Sequence, residues 1–110
     1  MSYFSAYLAP LLQQFHALYN PGIETKRLLR QAADCLPADA VALPDVSRAT
    51  FQDFHLYLAQ NEWELAMEVL EELATGTRPP ATFWGLLAQV AERMKCDVHA
   101  QRYRNNSKMK

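Results

Sequence analysis

Carboxylates are concentrated in one short stretch of the chain. The segment NEWELAMEVLEELATG, residues 61–76, contains five glutamates and no lysine or arginine. Glu64, Glu68 and Glu72 follow one another at four-residue steps, which places them on one ridge of a helix. Like charges at this spacing repel by roughly 0.2–0.5 kcal/mol per pair. This acidic ridge has two explanations. It is either a solvated helix face that is rich in glutamate because glutamate is a good helix former, or a surface complementary to a basic partner.

The other titratable residues do not complete a metal site or a catalytic site in the sequence. A di-metal carboxylate site needs ligands that face the glutamates from other helices, and no Glu-x-x-His step is present. Cys96 and His99 are three residues apart and can share a helix face, but structural zinc takes four ligands and no second pair has this spacing. His16 and His55 are interpreted as histidines at the edge of the core. We expect no metal ion, no cofactor and no enzymatic activity.

Charge is strongly segregated along the chain, although the net charge is only −1. Residues 37–75 contain eight acidic side chains and one basic side chain, whereas residues 76–110 contain seven basic and two acidic ones. Phosphate contacts need lysine and arginine, so the acidic segment argues against nucleic acid as its ligand. Complementary fields steer association between proteins, so the acidic segment suits a basic protein partner.

The elements that must position these residues are helices. Apolar residues recur at three- and four-residue steps, and no segment shows the alternation typical of a strand. We predict an all-α fold: one domain over residues 1–110, built as a bundle of five to six helices in stacked antiparallel hairpins. The predicted helices cover residues 4–19 (kinked or starting near Pro10), 24–36, 48–60, 63–75, 81–95 and 98–104, and residues 105–110 are expected to fray.

Local signals define several helix ends. Pro21 and Gly22, with Asn20, predict a turn before the second helix. Ser47 or Thr50 can cap the third helix, and Thr50 has the spacing of a capping box with Asp53. Gly76 is expected to end the fourth helix in a left-handed conformation. Within that helix, the stripe Trp63, Met67, Leu70 and Ala74 is predicted to face the core.

Cysteine usage and hydropathy suggest a compartment. Cys35 and Cys96 are interpreted as buried thiols of a reducing environment. The first 20 residues have no basic residue before their leucines, so we do not expect a signal peptide. No run reaches the ~20 apolar residues of a membrane span. These features predict a cytoplasmic protein that does not bind membranes.

A faint repeat supports one alternative function. Ala66 and Ala100 are 34 residues apart, which is the period of tetratricopeptide helix pairs. Trp84, Leu87 and Ala88 also fall where that repeat places packing residues. Any two helical hairpins would produce similar spacing. The alternative is thus a tetratricopeptide-like adaptor or chaperone module that binds a peptide or protein partner.

A family resemblance favours a different function. The strings EWELAME (62–68) and FWGLLAQVAERM (83–94) resemble the small helical immunity proteins of bacterial polymorphic toxins, including Maf-type and contact-dependent growth inhibition systems. The similarity covers about residues 51–104. It implies a protein that binds one cognate toxin domain, often a nuclease, inside the producing cell and blocks it by stoichiometric occlusion.

The acidic segment fits this implied role because a nuclease site that holds phosphates is basic. We therefore predict that six residues contact the toxin, whereas Trp63 fits the core at least as well. The predicted contact residues are Asp53, Tyr57, Glu64, Glu68, Glu71 and Glu72.

Overall fold

The structure is a computed structural model that describes residues 21–108. This part of the chain forms five helices and no strand, so the predicted all-α class is confirmed. The helices are α1 (Pro21–Asp34), α2 (Phe51–Ala59), α3 (Trp63–Ala74), α4 (Ala81–Arg93) and α5 (Asp97–Lys108). The predicted helix over residues 4–19 and His16 lie outside the described residues.

The helices pack mainly as two sequence-adjacent pairs with α1 between them. α2 packs against α3, α4 packs against α5, and α1 lies mainly on α4 with a smaller contact to α3. The core consists of apolar residues from all five helices, and its largest fully buried side chains include Leu29, Phe54, Met67, Leu70, Phe83, Leu87 and Tyr103. The predicted stripe on α3 contributes Met67, Leu70 and Ala74 to this core, while Trp63 packs half-buried against it.

Most predicted helix ends differ from the structure by one to four residues, and α2 begins at Phe51 where the prediction began at residue 48. α1 begins at Pro21, so the predicted turn is instead the first turn of a helix, where the missing N–H of proline costs nothing. α5 continues to Lys108, and its Ser107 hydroxyl donates to the Ala81 carbonyl at 3.4 Å. Residues 105–108, which were predicted to fray, are therefore helical. Within residues 21–108, no helix combines the length and the apolar character that crossing a membrane requires.

The short connections between paired helices use left-handed residues other than glycine. Asn61 between α2 and α3 has φ 59°, and Lys95 between α4 and α5 has φ 60°. Asparagine adopts this conformation comparatively easily, whereas a lysine there is strained. The prediction that Gly76 is left-handed is wrong, because no described glycine has a positive φ.

Gly76 is required for a close approach between two segments. An ideal Cβ on this residue would lie 1.9 Å from the Val41 carbonyl oxygen, which is a backbone atom. The neighbouring Thr75 hydroxyl accepts a hydrogen bond from the Leu43 amide at 3.0 Å and donates one to the Glu72 carbonyl at 2.6 Å. The connection between α1 and α2 is thus held against the end of α3.

Replacing Gly76 by alanine is expected to lower the free energy of unfolding by about 1–3 kcal/mol, because the added methyl must displace the backbone at Val41. Chemical denaturation monitored by circular dichroism measures this change. Gly85→Ala is the matched control: a Cβ at this position on α4 meets only the Ser107 hydroxyl at 3.9 Å. It should raise stability by about 0.5–1 kcal/mol. Equal effects of the two substitutions would contradict the close approach.

Candidate protein-binding groove

Most of the predicted contact residues meet at one groove between α2 and α3. The groove has a volume of about 400 Å³. The connection before α2 contributes Ser47, Arg48 and Ala49, α2 contributes Asp53 and Tyr57, and α3 contributes Leu65, Glu68, Val69 and Glu72. Three carboxylates against one guanidinium make it an acidic groove, and it contains four of the six predicted residues.

Asp53 has a structural role besides its position in the groove. The Asp53 amide donates to the Thr50 hydroxyl at 3.3 Å, and the Asp53 carboxylate accepts from the Thr50 amide at 2.9 Å. This reciprocal pair is the predicted capping box, which is confirmed. The bonds to the carboxylate all fall on Oδ2, so among residues 21–108 the Asp53 Oδ1 is left for an outside donor.

Glu72 connects the two walls of the groove. Its Oε2 accepts a hydrogen bond of 3.0 Å from the Ser47 hydroxyl, which in turn accepts from the Ala49 amide at 2.9 Å. The chain just before α2 is therefore held on α3 by a carboxylate. Glu72 is half-buried, as is Tyr57 across the groove, and their positions are thereby constrained before any partner arrives.

Leu65 adds an apolar residue to this acidic surface. It is 42% exposed even though it is large and aliphatic. Other large apolar residues of the described chain are more exposed, but Leu65 is the one of them that lines this groove. Leu65 was not among the predicted contact residues, although it follows Glu64 directly and lies off the core stripe of α3.

Glu71 is engaged within the protein and does not line the groove. Arg102 of α5 donates two hydrogen bonds to its carboxylate, from Nε at 2.7 Å and from Nη2 at 2.9 Å. The Tyr103 hydroxyl donates a third at 2.9 Å. Burial and the Glu71 carboxylate raise the pKa of Tyr103, so this phenol remains a donor. These bonds hold α5 against α3, and they give Glu71 a structural role.

Glu64 and Glu68 lie toward the start of α5. Glu64 Oε1 is 3.8 Å from the Cys96 sulfur, and Glu68 Oε2 is 3.5 Å from His99 Nε2. Glu68 thus faces both the groove and α5, whereas Glu64 does not line the groove. The acidic ridge is continuous along the helix, but its members have different neighbours.

The remaining histidine and cysteine predictions are confirmed only in part. His55 stacks on Phe51 with ring centroids 6.3 Å apart and meets the buried Phe54 ring edge-on at 5.2 Å, so it borders the core but is itself exposed. Cys35 and Cys96 are free thiols, and both are half-buried. Cys35 donates to the Gln31 carbonyl of its own helix at 3.5 Å.

Comparisons with known proteins identify no relative. No protein-family model matches the chain, and neither a curated protein nor a solved structure matches it. The resemblance to immunity proteins therefore stays a prediction that depends on the residues quoted for it.

Proposed function

We propose that this chain is an immunity protein that binds a cognate toxin domain, a basic nuclease, and neutralises it by stoichiometric occlusion through the acidic groove. The observation that carries the proposal is the convergence of Asp53, Tyr57, Glu68 and Glu72 on one groove with a single arginine. These four residues come from two helices. The chain needs no catalytic group for this role, because it acts by covering the site of another protein.

Charge complementarity supports a basic partner. Lysine and arginine side chains that hold phosphates in a nuclease would meet the carboxylates of the groove. Such complementary potentials raise association rates and penalise partners of the wrong sign. Leu65 provides an apolar contact at which a toxin residue can be buried.

The contacts of each residue narrow the set of toxin-binding side chains. Glu71 is bonded to Arg102 and Tyr103, so a contact with the toxin would have to break these hydrogen bonds. Glu64 faces the start of α5. The residues that we assign to the toxin are therefore Asp53, Tyr57, Glu68 and Glu72, together with Leu65.

Glu72→Lys is expected to weaken binding of the toxin domain encoded by the neighbouring gene by about 10- to 100-fold, mainly through slower association. Glu72→Gln should weaken it less, because the amide oxygen still accepts from Ser47 and only the charge is lost. Surface plasmon resonance at several salt concentrations measures both rates. The wild-type association rate should fall steeply with salt, and that of Glu72→Lys should fall less.

Asp39→Lys is the matched control, since Asp39 is exposed and lines no part of the groove. Like Glu72→Lys, Asp39→Lys changes the net charge by two units. It should alter the dissociation constant of the toxin complex by no more than about twofold. Circular dichroism checks that each variant is folded. If Glu72→Lys bound as tightly as the wild type, the groove would not be the contact surface. If the wild type neither bound the toxin nor protected cells that express it, the immunity function itself would be wrong.

A further inference from the structure

Three metal-binding side chains converge beside the acidic groove, on the side of α3 that faces α5. Glu64 comes from α3, Cys96 directly precedes α5, and His99 lies in the first turn of α5. One donor atom from each residue lies within 4.8 Å of the other two. Cys96 and His99 were recognised in the sequence as a possible pair, but their third partner lies 32 residues away from Cys96 in the chain.

The separations suit a tetrahedral ion. Zinc bonds of about 2.3 Å to sulfur and about 2.0 Å to oxygen place two such ligands roughly 3.5 Å apart. Cys96 Sγ and Glu64 Oε1 are already 3.8 Å apart. The other two pairs of donor atoms lie within 4.8 Å, so the three donors need to draw slightly closer to share one ion.

The donor set favours zinc over the hard cations. Thiolate and imidazole are ligands for zinc and other borderline or soft metals, whereas calcium and magnesium prefer oxygen ligands alone. Three protein ligands around zinc leave the fourth position to water. A set of one sulfur, one nitrogen and one oxygen therefore points to a zinc site with an open position.

Neighbouring side chains constrain the histidine. Glu68 Oε2 lies 3.5 Å from His99 Nε2. Zinc-binding histidines commonly have a carboxylate beside the ring nitrogen that does not bind the metal, so this arrangement leaves Nδ1 for the ion. The Tyr103 ring contacts the imidazole at a centroid distance of 6.1 Å. His99 is only 22% exposed at its side chain, so its ring has little freedom to turn away from the cluster.

Electrostatics also favours a cation here. The Glu64 carboxylate lies 3.8 Å from the Cys96 sulfur, and the Glu68 carboxylate lies 3.5 Å from the His99 ring. Two carboxylates thus lie near the cysteine and the histidine, and their negative charge would attract a divalent cation bound between them.

The geometry points to a zinc site formed by Glu64, Cys96 and His99, with Glu68 as the residue that positions His99. On binding, a bond forms between Zn²⁺ and the Cys96 sulfur, the thiol proton leaves to solvent, and no atom changes its oxidation state. The ion joins α3 to the start of α5. This site does not depend on the proposed immunity function, because none of its three ligands lines the acidic groove.

Calorimetric titration of the reduced full chain with zinc chloride tests the site. The wild type should bind one ion and release about one proton per ion, measured from the heats in two buffers of different ionisation enthalpy. Cys96→Ser and His99→Ala should weaken binding by about 100-fold or more, and Glu68→Gln by about 10- to 100-fold. The unfolding temperature of the wild type should rise with zinc concentration, since the ion binds the folded state.

The chain supplies matched controls for two ligands. Cys35→Ser and His55→Ala remove the other described cysteine and histidine, neither of which belongs to the cluster, and should leave zinc affinity unchanged within about twofold. Cobalt gives an independent readout, because a thiolate-to-cobalt absorption band should be present in Cys35→Ser and absent in Cys96→Ser. Glu64→Gln changes an exposed side chain and should weaken binding even if Cys96→Ser folds poorly.

Two results would overturn the zinc site. One is a wild-type zinc affinity no higher than that of the folded Cys96→Ser or Glu64→Gln variant. The other is a loss of zinc affinity in Cys35→Ser as large as that in Cys96→Ser, which would indicate that zinc binds either thiol without a formed site. No toxin is present in these measurements, so their failure would leave the groove proposal untouched, and a failure of toxin binding would leave the zinc site untouched.

Discussion

Tyr103→Ala is expected to lower the free energy of unfolding by about 3–5 kcal/mol, the largest effect among the substitutions considered. Tyr103 is 0% exposed, and its ring lies 5.9 Å from Trp84 and 6.1 Å from His99 between centroids. Alanine would leave a cavity at the junction of α4 and α5, because neighbours in a close-packed interior relax only partly. It would also remove the hydroxyl that donates to Glu71.

Tyr103→Phe separates the two contributions. It keeps the ring and removes only the hydroxyl, while Glu71 retains both hydrogen bonds from Arg102. The loss should therefore be about 0.5–1.5 kcal/mol. Urea denaturation followed by tryptophan fluorescence and by circular dichroism measures both variants. A loss for Tyr103→Phe as large as that for Tyr103→Ala would mean that the hydroxyl, and not ring packing, dominates at this position.

The second large effect is expected at Glu71. Glu71→Ala should lower the free energy of unfolding by about 2–4 kcal/mol, since it removes the acceptor of three hydrogen bonds and leaves the buried Tyr103 hydroxyl without a partner. The Glu71 side chain is 23% exposed and that of Arg102 is 43% exposed, so solvent screens part of the ion pair, and the lost hydrogen bond to the buried Tyr103 hydroxyl accounts for much of the effect. Thermal and urea denaturation measure the loss.

A double-mutant cycle assigns this loss to the link between α3 and α5. Glu71→Ala and Arg102→Ala should together cost less than the sum of the two separate losses, because both remove the same ion pair. Glu62→Ala is the matched control: Glu62 is exposed at the start of α3 and its side chain caps no backbone group. Its effect should stay within about 0.5 kcal/mol. Additive losses at Glu71 and Arg102 would contradict the coupling.

The same variant separates stability from recognition. Sequence analysis predicted Glu71 as a toxin contact because it lies in the acidic segment. Its hydrogen bonds to Arg102 and Tyr103 give it a role in the scaffold. We therefore expect the folded fraction of Glu71→Ala to bind the toxin with an affinity close to that of the wild type, whereas Glu72→Lys loses affinity with less effect on folding.

Local sequence signals predicted the helices well. The four later helices of the structure each lie within a few residues of a predicted one, and the capping box at Thr50 formed as its spacing indicated. Gly76 shows the limit of such signals. A glycine after a helix is commonly left-handed, but at this position it is needed because the chain near Val41 passes so close.

Hydrophobic periodicity does not predict which residues of different helices contact each other. Contacts between α3 and α5 join residues 31 or 32 positions apart in the chain: Glu64 with Cys96, Glu71 with Arg102 and Glu71 with Tyr103. The common separation shows that one register aligns the two helices, yet each residue alone has an ordinary surface pattern. Cys96 and His99 were noticed for their spacing, but only this register brings Glu64 to them.

The sequence by itself determined that the elements within residues 21–108 are helices, where they begin and end to within a few residues, and that negative charge collects on α3. These are local properties, because helical periodicity, capping and charge depend on residues within a few positions of one another. The tertiary structure alone decided which carboxylates line the groove, which hold α5 and which adjoin Cys96 and His99. That division depends on how each helix is rotated against its neighbours, and packing of the whole core sets this rotation.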